Sequence, residues 1–208
     1  MSPRYLIDLH CRYGVLLAKR GDYPAAVAQY EEALRRDPNQ YEALLDLAGV
    51  LTEMRRYDEA AARYRQLLAR EPANSVALRS LAHVLRAGGH PREGLAALTE
   101  AVRQAPNDAS AAALLAWQLA TSPDAELRDG PRALEVAQQA MQAAGRPNPT
   151  LLQALAAAYA ECGRFEEAAA TAEQVLEMAR KAGRPQQAAW IEAQLAGYRE
   201  KRPFRESE

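Results

Sequence analysis

A block of ten residues returns along the chain at an interval of 34. Leu17 to Ala26, Leu51 to Ala60, Leu85 to Gly94 and Tyr159 to Ala168 align without gaps. Each block opens on a large apolar residue and closes on Ala or Gly. A fifth copy falls at Ala133, in Pro131-Arg132-Ala133-Leu134, so the closing residues are spaced by 34, 34, 39 and 35. Pro38, Pro72 and Pro106 keep the interval of 34 as well. Self-similarity on this scale belongs to stacked arrays, in which one supersecondary unit repeats and buries its apolar face only against its neighbours. That replaces the one or two globular domains that 208 residues would otherwise suggest.

Each copy reads as two helices. The first carries a pair of a large and a small residue: Tyr13-Gly14, Leu47-Ala48, Leu81-Ala82, Leu115-Ala116 and Leu155-Ala156. The small member lets a neighbouring helix approach. The second helix begins near the Tyr or Phe of the block and stops ahead of proline, which lacks an N–H and disfavours a helical residue before it. Composition agrees. Alanine, the best helix former, fills 46 of the 208 positions against 13 aromatics, and β-branched residues are few. The fold class expected is all-α.

These residues at this spacing resemble the tetratricopeptide repeat, over about residues 5 to 183. In the first copy the matching positions are Tyr13, Gly14, Leu17, Tyr23, Ala26, Tyr30, Ala33 and Pro38. The resemblance implies a right-handed superhelical α-solenoid of about five helix-turn-helix repeats, of the bacterial type, forming one domain over residues 1–208. The repeats are placed at about 7–40, 41–74, 75–108, 109–148 and 149–183. The fourth contains an insertion between its helices at about 121–130, where Pro123 and Gly130 mark a loop and Asp129 is positioned to cap the next helix. A capping helix is placed at about 186–200, with Ala188, Ile191, Leu195 and Tyr198 as its apolar stripe and Gln187, Glu192 and Arg199 on its other face. A tail of residues 201–208 follows. No comparable cap precedes the first copy, so Tyr5, Leu6 and Leu9 leave that end partly apolar.

In this family the first helices line a concave groove that holds an extended peptide or a helix. The resemblance places Asp8, Cys11, Val15 and Lys19 in that groove in the first copy. Glu42, Leu45, Gly49 and Glu53 follow in the second, and Val76, Arg79, His83 and Arg86 in the third. Ala113, Trp117, Gln153 and Ala157 complete it. From these, Lys19, Glu42, Leu45, Glu53, Arg79, His83, Arg86, Trp117 and Gln153 are the candidate partner-binding residues. The Lys–Asn–Arg clamp by which some members hold a peptide C-terminus is missing, because its Asn slot holds Val15, Gly49, His83, Trp117 and Ala157. Arg79, His83 and Arg86 share one helix face. They read either as an anionic contact point or as a solvated face paired with Glu42, Asp46 or Glu53. Trp117 reads either as a binding anchor, tryptophan being enriched at hot spots, or as a filler against the longer loop of its own repeat. Trp190 lies off the apolar stripe of the last helix and reads either as a semi-exposed contact site or, in preference, as cover for the helix before it.

Other functions fail on inventory. Net charge is −1 with a pI of about 6.4, so no basic field exists for nucleic acid. No run reaches the roughly 18 apolar residues of a membrane span, and no signal peptide pattern opens the chain. His10, His83 and His90 lack metal-ligand spacing with Cys or a carboxylate. His10 and Cys11 are adjacent, pointing about 100° apart on a helix, so they form no nucleophile–base pair; His10 is expected to pack between helices. Gly88-Gly89 lacks the strand and the Gly-Lys-Ser/Thr of a phosphate loop. Asp124, Glu126 and Asp129 lack the spacing and bidentate Glu of a calcium loop. No catalytic residue, cofactor or metal is expected. Cys11 and Cys162 read as unpaired, small buried hydrophobes in a reducing compartment. The reading is a non-catalytic interaction module for a protein or peptide partner, cytoplasmic. The alternative is an assembly element: a soluble part of a larger or membrane-associated complex, or a chain that self-associates through its N-terminal end.

Overall fold

The computed structural model describes residues 3–145 and 148–206. Secondary structure among them is helical throughout, in 11 α-helices and one short 3-10 turn. Contacts divide the chain into two compact units, residues 1–104 and 105–208.

The first unit holds three helical hairpins: α1 (Pro3–Lys19) with α2 (Tyr23–Arg36), α3 (Tyr41–Glu53) with α4 (Tyr57–Leu68), and α5 (Ser75–Ala87) with α6 (Pro91–Gln104). The same turn joins each pair. The N–H of Asp22, Arg56 and His90 donates to the carbonyl of Leu17, Leu51 and Leu85, at 3.0, 2.9 and 2.8 Å. This six-residue closure needs a left-handed residue just before the donor. Gly21 and Gly89 supply it with φ of 78° and 85°; Arg55, in the equivalent position, adopts φ 57°. The first letter of each repeated block is therefore the acceptor that closes its hairpin. Close packing explains the small residues. Ala26, Ala33, Ala60 and Ala101 are fully buried beside Tyr30, Leu44, Leu47, Tyr64 and Leu98. At Gly14 a Cβ would sit 2.7 Å from the Tyr30 ring.

The second unit continues with α7 (Ala109–Thr121), α8 (Gly130–Ala144), α9 (Pro149–Glu161), α10 (Phe165–Lys181) and α11 (Pro185–Arg199). The expected insertion lies between α7 and α8 and contains the 3-10 turn Ala125–Leu127. Asp129 caps α8 as expected, accepting from the Arg132 N–H at 3.0 Å. The insertion is closed by Asp129 N–H to Leu119 O at 2.9 Å. Arg128 pins it from inside by donating to the Ser122 and Pro123 carbonyls at 2.8 and 3.1 Å. α9 and α10 repeat the hairpin closure through Arg164 N–H and Tyr159 O, with Gly163 left-handed. On α11 the stripe of Ala188, Ile191, Leu195 and Tyr198 is buried with Ala168, Ala172 and Val175 of α10 in one cluster. After α11 the chain reverses: Lys201 N–H donates to Tyr198 O and Arg202 N–H to Gly197 O, around a left-handed Lys201 with φ 56°.

Candidate functional site

In the first unit, the first helices α1, α3 and α5 carry seven of the residues singled out in the sequence. Lys19 ends α1, and Glu42 lies in the first turn of α3, where its carboxylate accepts from the Gln40 amide at 2.7 Å. Glu53 ends α3; both it and Lys19 are exposed, whereas Leu45 is half-buried. On α5, Arg79 is half-buried with its Nε 3.4 Å from the Ser75 carbonyl, and His83 and Arg86 are exposed. Acidic groups gather where α1 meets α3. Burial, then Asp46, Glu42 and Asp8, push the Cys11 thiol up to about 11. Burial and then Glu42 raise the Asp46 carboxyl. Tyr30 is likewise raised by burial, with Asp46 adding. Beside them an open cleft of about 1010 Å³ is lined by Asp8, Cys11, Arg36, Asp37 and Glu42, among others. His10 bridges α1 and α2 through Gln29 at 2.8 Å, as a residue packed between helices should.

In the second unit, the first helices α7 and α9 face the tail that follows α11. Residues 203–206 run without helix and are half-buried throughout. The Phe204 ring sits 5.6 Å from Trp117 of α7 and 5.7 Å from Trp190 of α11, and the two indoles are 5.6 Å apart. Two of these pairs are tilted, at 39° and 41°, and the third is edge-on at 74°, with centroid distances within the range of favourable aromatic pairs. Arg205 donates to the Ala120 carbonyl at 3.3 Å, and its Nη2 lies 2.6 Å from Glu161 Oε2 on α9. The latter contact is close but poorly aligned, an ion pair rather than a directed hydrogen bond. Glu161 Oε1 also receives Arg128 Nε at 3.1 Å. Glu206 binds twice: its N–H donates to the Thr121 carbonyl at 3.0 Å and its carboxylate accepts from the Trp117 indole at 2.7 Å.

Trp117 therefore rests against Trp190 and Phe204. Trp190 remains 43% exposed, in keeping with the semi-exposed alternative, and joins an aromatic cluster with Trp117 and Phe204. Gln153, on α9, keeps a buried Nε2 that has no hydrogen-bond partner among the described residues. Among the same residues no group of three or more His, Cys, Asp or Glu is placed to hold a metal, and no helix is long and apolar enough to cross a membrane. Cys11 is a free, buried thiol as expected, whereas Cys162 is free but only half-buried.

A tetratricopeptide repeat sequence model matches residues 17–67 and again 51–117, and a second one matches residues 151–186. The chain belongs to the tetratricopeptide repeat family. Its fold is the all-α repeat solenoid of that family. A tetratricopeptide repeat protein of Parabacteroides merdae superposes with a TM-score of 0.78 at 14% identity, over 95% of this chain and 75% of that one. A thermophilic tetratricopeptide repeat protein of Thermus thermophilus is 25% identical, with a TM-score of 0.60 over 92% and 98%. YrrB, described as a tetratricopeptide repeat protein with an unusual peptide-binding site, is 19% identical with a TM-score of 0.63 over 86% and 90%. No curated protein sequence matches the chain. Proteins of this family are in general interaction modules without catalytic activity.

The tetratricopeptide pattern did not reveal Glu161, Arg128 or the tail residues Phe204 to Glu206. One signal was present. Pro203 ends any helical continuation, and the next residue is one of only two phenylalanines in the chain, set among charges.

Proposed function

We propose that the protein is a non-catalytic scaffold that binds an extended peptide or a helix across the faces of its first helices. One observation carries this reading. The face made by α7, α9 and α11 already seats an extended segment, through two indoles, one carboxylate and main-chain carbonyls. Nothing about those contacts requires the segment to be covalently attached. A stacked array offers such a surface with little ordering cost on binding, because the helices are fixed beforehand. In the first unit, Lys19, Glu42, Leu45, Glu53, Arg79, His83 and Arg86 offer a second, more charged face. The described peptide-binding site of YrrB supports the reading at the level of the fold. The free cysteines favour a reducing compartment, hence the cytoplasm or the water-facing part of a membrane-associated complex.

Affinity capture from the source lysate tests it, comparing the native chain with Trp117→Ala and Arg79→Ala. Each substitution should deplete bound partners while helicity stays unchanged. Unaltered capture by both would remove these faces from the proposal.

A second reading is favoured by α1, where Tyr5, Leu9, Tyr13 and Leu16 are each close to half exposed or more. Spaced by four, four and three, they form one apolar stripe. Self-association through it predicts a sedimentation coefficient that rises with concentration, and that stops rising in Leu9→Glu.

A further inference from the structure

The occupant of the α7–α9–α11 face belongs to the chain itself. Three consecutive side chains serve three helices. Phe204 reaches α7 and α11, Arg205 reaches α9, and Glu206 reaches α7 again. We propose that Pro203–Glu206 is a resident ligand of this face. It holds the face closed and marks the chemistry of the partner that replaces it: an extended protein segment with an aromatic residue followed by arginine and a carboxylate. The inference rests on the interaction-module reading above and adds to it the partner class and a built-in gate.

The tail is built to dock and to leave. It is attached through a tight reversal at Lys201, so its anchors are held beside their own site. A short tether gives an effective concentration in the millimolar range, against which any partner competes. Its individual bonds are modest. The Arg205 and Glu161 side chains are 33% and 15% exposed, so their pair is only partly shielded from water. Phe204 lies at the edge of the α10–α11 core rather than within it. Trp190 keeps exposed surface with the tail in place, which leaves room for a longer segment to extend the contact.

The probe is a synthetic peptide with the sequence of residues 201–208. The chain contains two phenylalanines, Phe165 and Phe204, so fluorophenylalanine labelling of the native protein gives two fluorine resonances, with Phe165 as the internal control. Excess peptide should move the resonance of position 204 toward its position in the free peptide and leave that of position 165 in place. In calorimetric titration the full-length double variant Phe204→Ala/Arg205→Ala should bind the peptide at least ~10-fold tighter than the native chain, and adding Trp117→Ala should abolish this. Equal affinity for native and variant chains, with the 204 resonance unmoved, overturns the gate while sparing the interaction-module reading. No binding to either chain at millimolar peptide overturns both for this face. A double variant that loses helicity makes the tail a structural strap, and the proposal falls.

Discussion

The indole N–H of Trp117 donates to the carboxylate of Glu206 at 2.7 Å, across 89 positions of sequence. This bond ties α7 to the last described residue and gives a partner to the one tryptophan in a helix dominated by Ala and Leu. Trp117→Phe keeps a ring against Phe204 and Trp190 but removes the donor. Docking of the tail should weaken by about 1.5–3 kcal/mol at most, the net range for a hydrogen bond to a charged group, with solvent exposure of the pair pulling it toward the low end. Amide exchange at Glu206, whose N–H is held by the Thr121 carbonyl, should speed up severalfold. Glu206→Gln, which keeps an acceptor, should do less. Unchanged exchange at Glu206 in Trp117→Phe would show that the bond does not hold the tail.

Arg55 stands where the equivalent turns have Gly21 and Gly89, with a left-handed φ of 57°. A side chain there crowds the following carbonyl, whereas glycine does not, though glycine has more entropy to lose on folding. Arg55→Gly should raise the urea midpoint, by roughly 0.5–1 kcal/mol of stability. Gly89→Ala should lower it by a similar amount. A drop in both variants would mean that the Arg55 side chain contributes more than its backbone strain costs.

Two helical glycines predict opposite signs. A Cβ at Gly14 would meet the Tyr30 ring at 2.7 Å, and Tyr30 is 1% exposed, with no room to yield. Gly14→Ala should cost about 1–3 kcal/mol, as overpacked cores do. At Gly49 nothing lies within 4 Å, so Gly49→Ala should gain about 0.5–1 kcal/mol from helix propensity. Chemical denaturation followed by circular dichroism gives both values.

The hairpins were legible because the interactions that make them are local. Each repeated block contains its own turn, from the acceptor Leu17, Leu51, Leu85 or Tyr159 to the small residue where the helices meet. The stripe of α11 was legible by the same periodicity. The tail was not, since Phe204, Arg205 and Glu206 have no period of their own and reach partners 85 and 89 positions back at Ala120 and Trp117. The role of Trp117 stayed open in the sequence for the same reason: an aromatic at a groove position is defined by what rests on it. Arg79, His83 and Arg86 are placed on α5 as the spacing predicted, but their charge alone does not say what they meet.

Glu161 receives two guanidinium groups, Arg128 from the insertion and Arg205 from the tail, with only 15% of its side chain exposed. Removing the shared carboxylate leaves both cations without their anion. Arg128 would still donate to the Ser122 and Pro123 carbonyls, which limits the damage to the loop. Glu161→Ala should therefore destabilise the second unit by about 1–3 kcal/mol, the range for a partly buried charged group losing its partner. Arg205→Ala should cost less than ~1 kcal/mol, since it leaves the Arg128–Glu161 pair intact. Thermal unfolding of the single variants and the double variant measures the coupling. Equal losses for Glu161→Ala and Arg205→Ala would mean that Arg128 draws nothing from the carboxylate.

The Cys11 thiol, buried on α1 and facing Asp46, Glu42 and Asp8, is pushed up from 9.0 to about 11. At pH 8 its thiolate is then about a hundredfold scarcer than that of an ordinary cysteine, and the thiolate is the reactive form. Native protein treated with iodoacetamide at pH 8 should be alkylated at half-buried Cys162 first, and at Cys11 only after unfolding in urea. The sign of the pH dependence follows from the direction of the shift. A folded value above the unfolded one means that the contribution of the protonated thiol to stability is complete below about pH 9. It fades as pH rises through about 11, because the unfolded chain gives up its proton first. Asp46→Asn removes the carboxylate with the strongest effect of the three but not the burial, which is the leading cause. It should lower the Cys11 value without restoring it to 9.0, and should make the alkaline loss of stability shallower. If Cys11 is alkylated in the folded chain at pH 8 as fast as in urea, the carboxylates and the burial do not protect it and this reading of the α1–α3 contact is wrong.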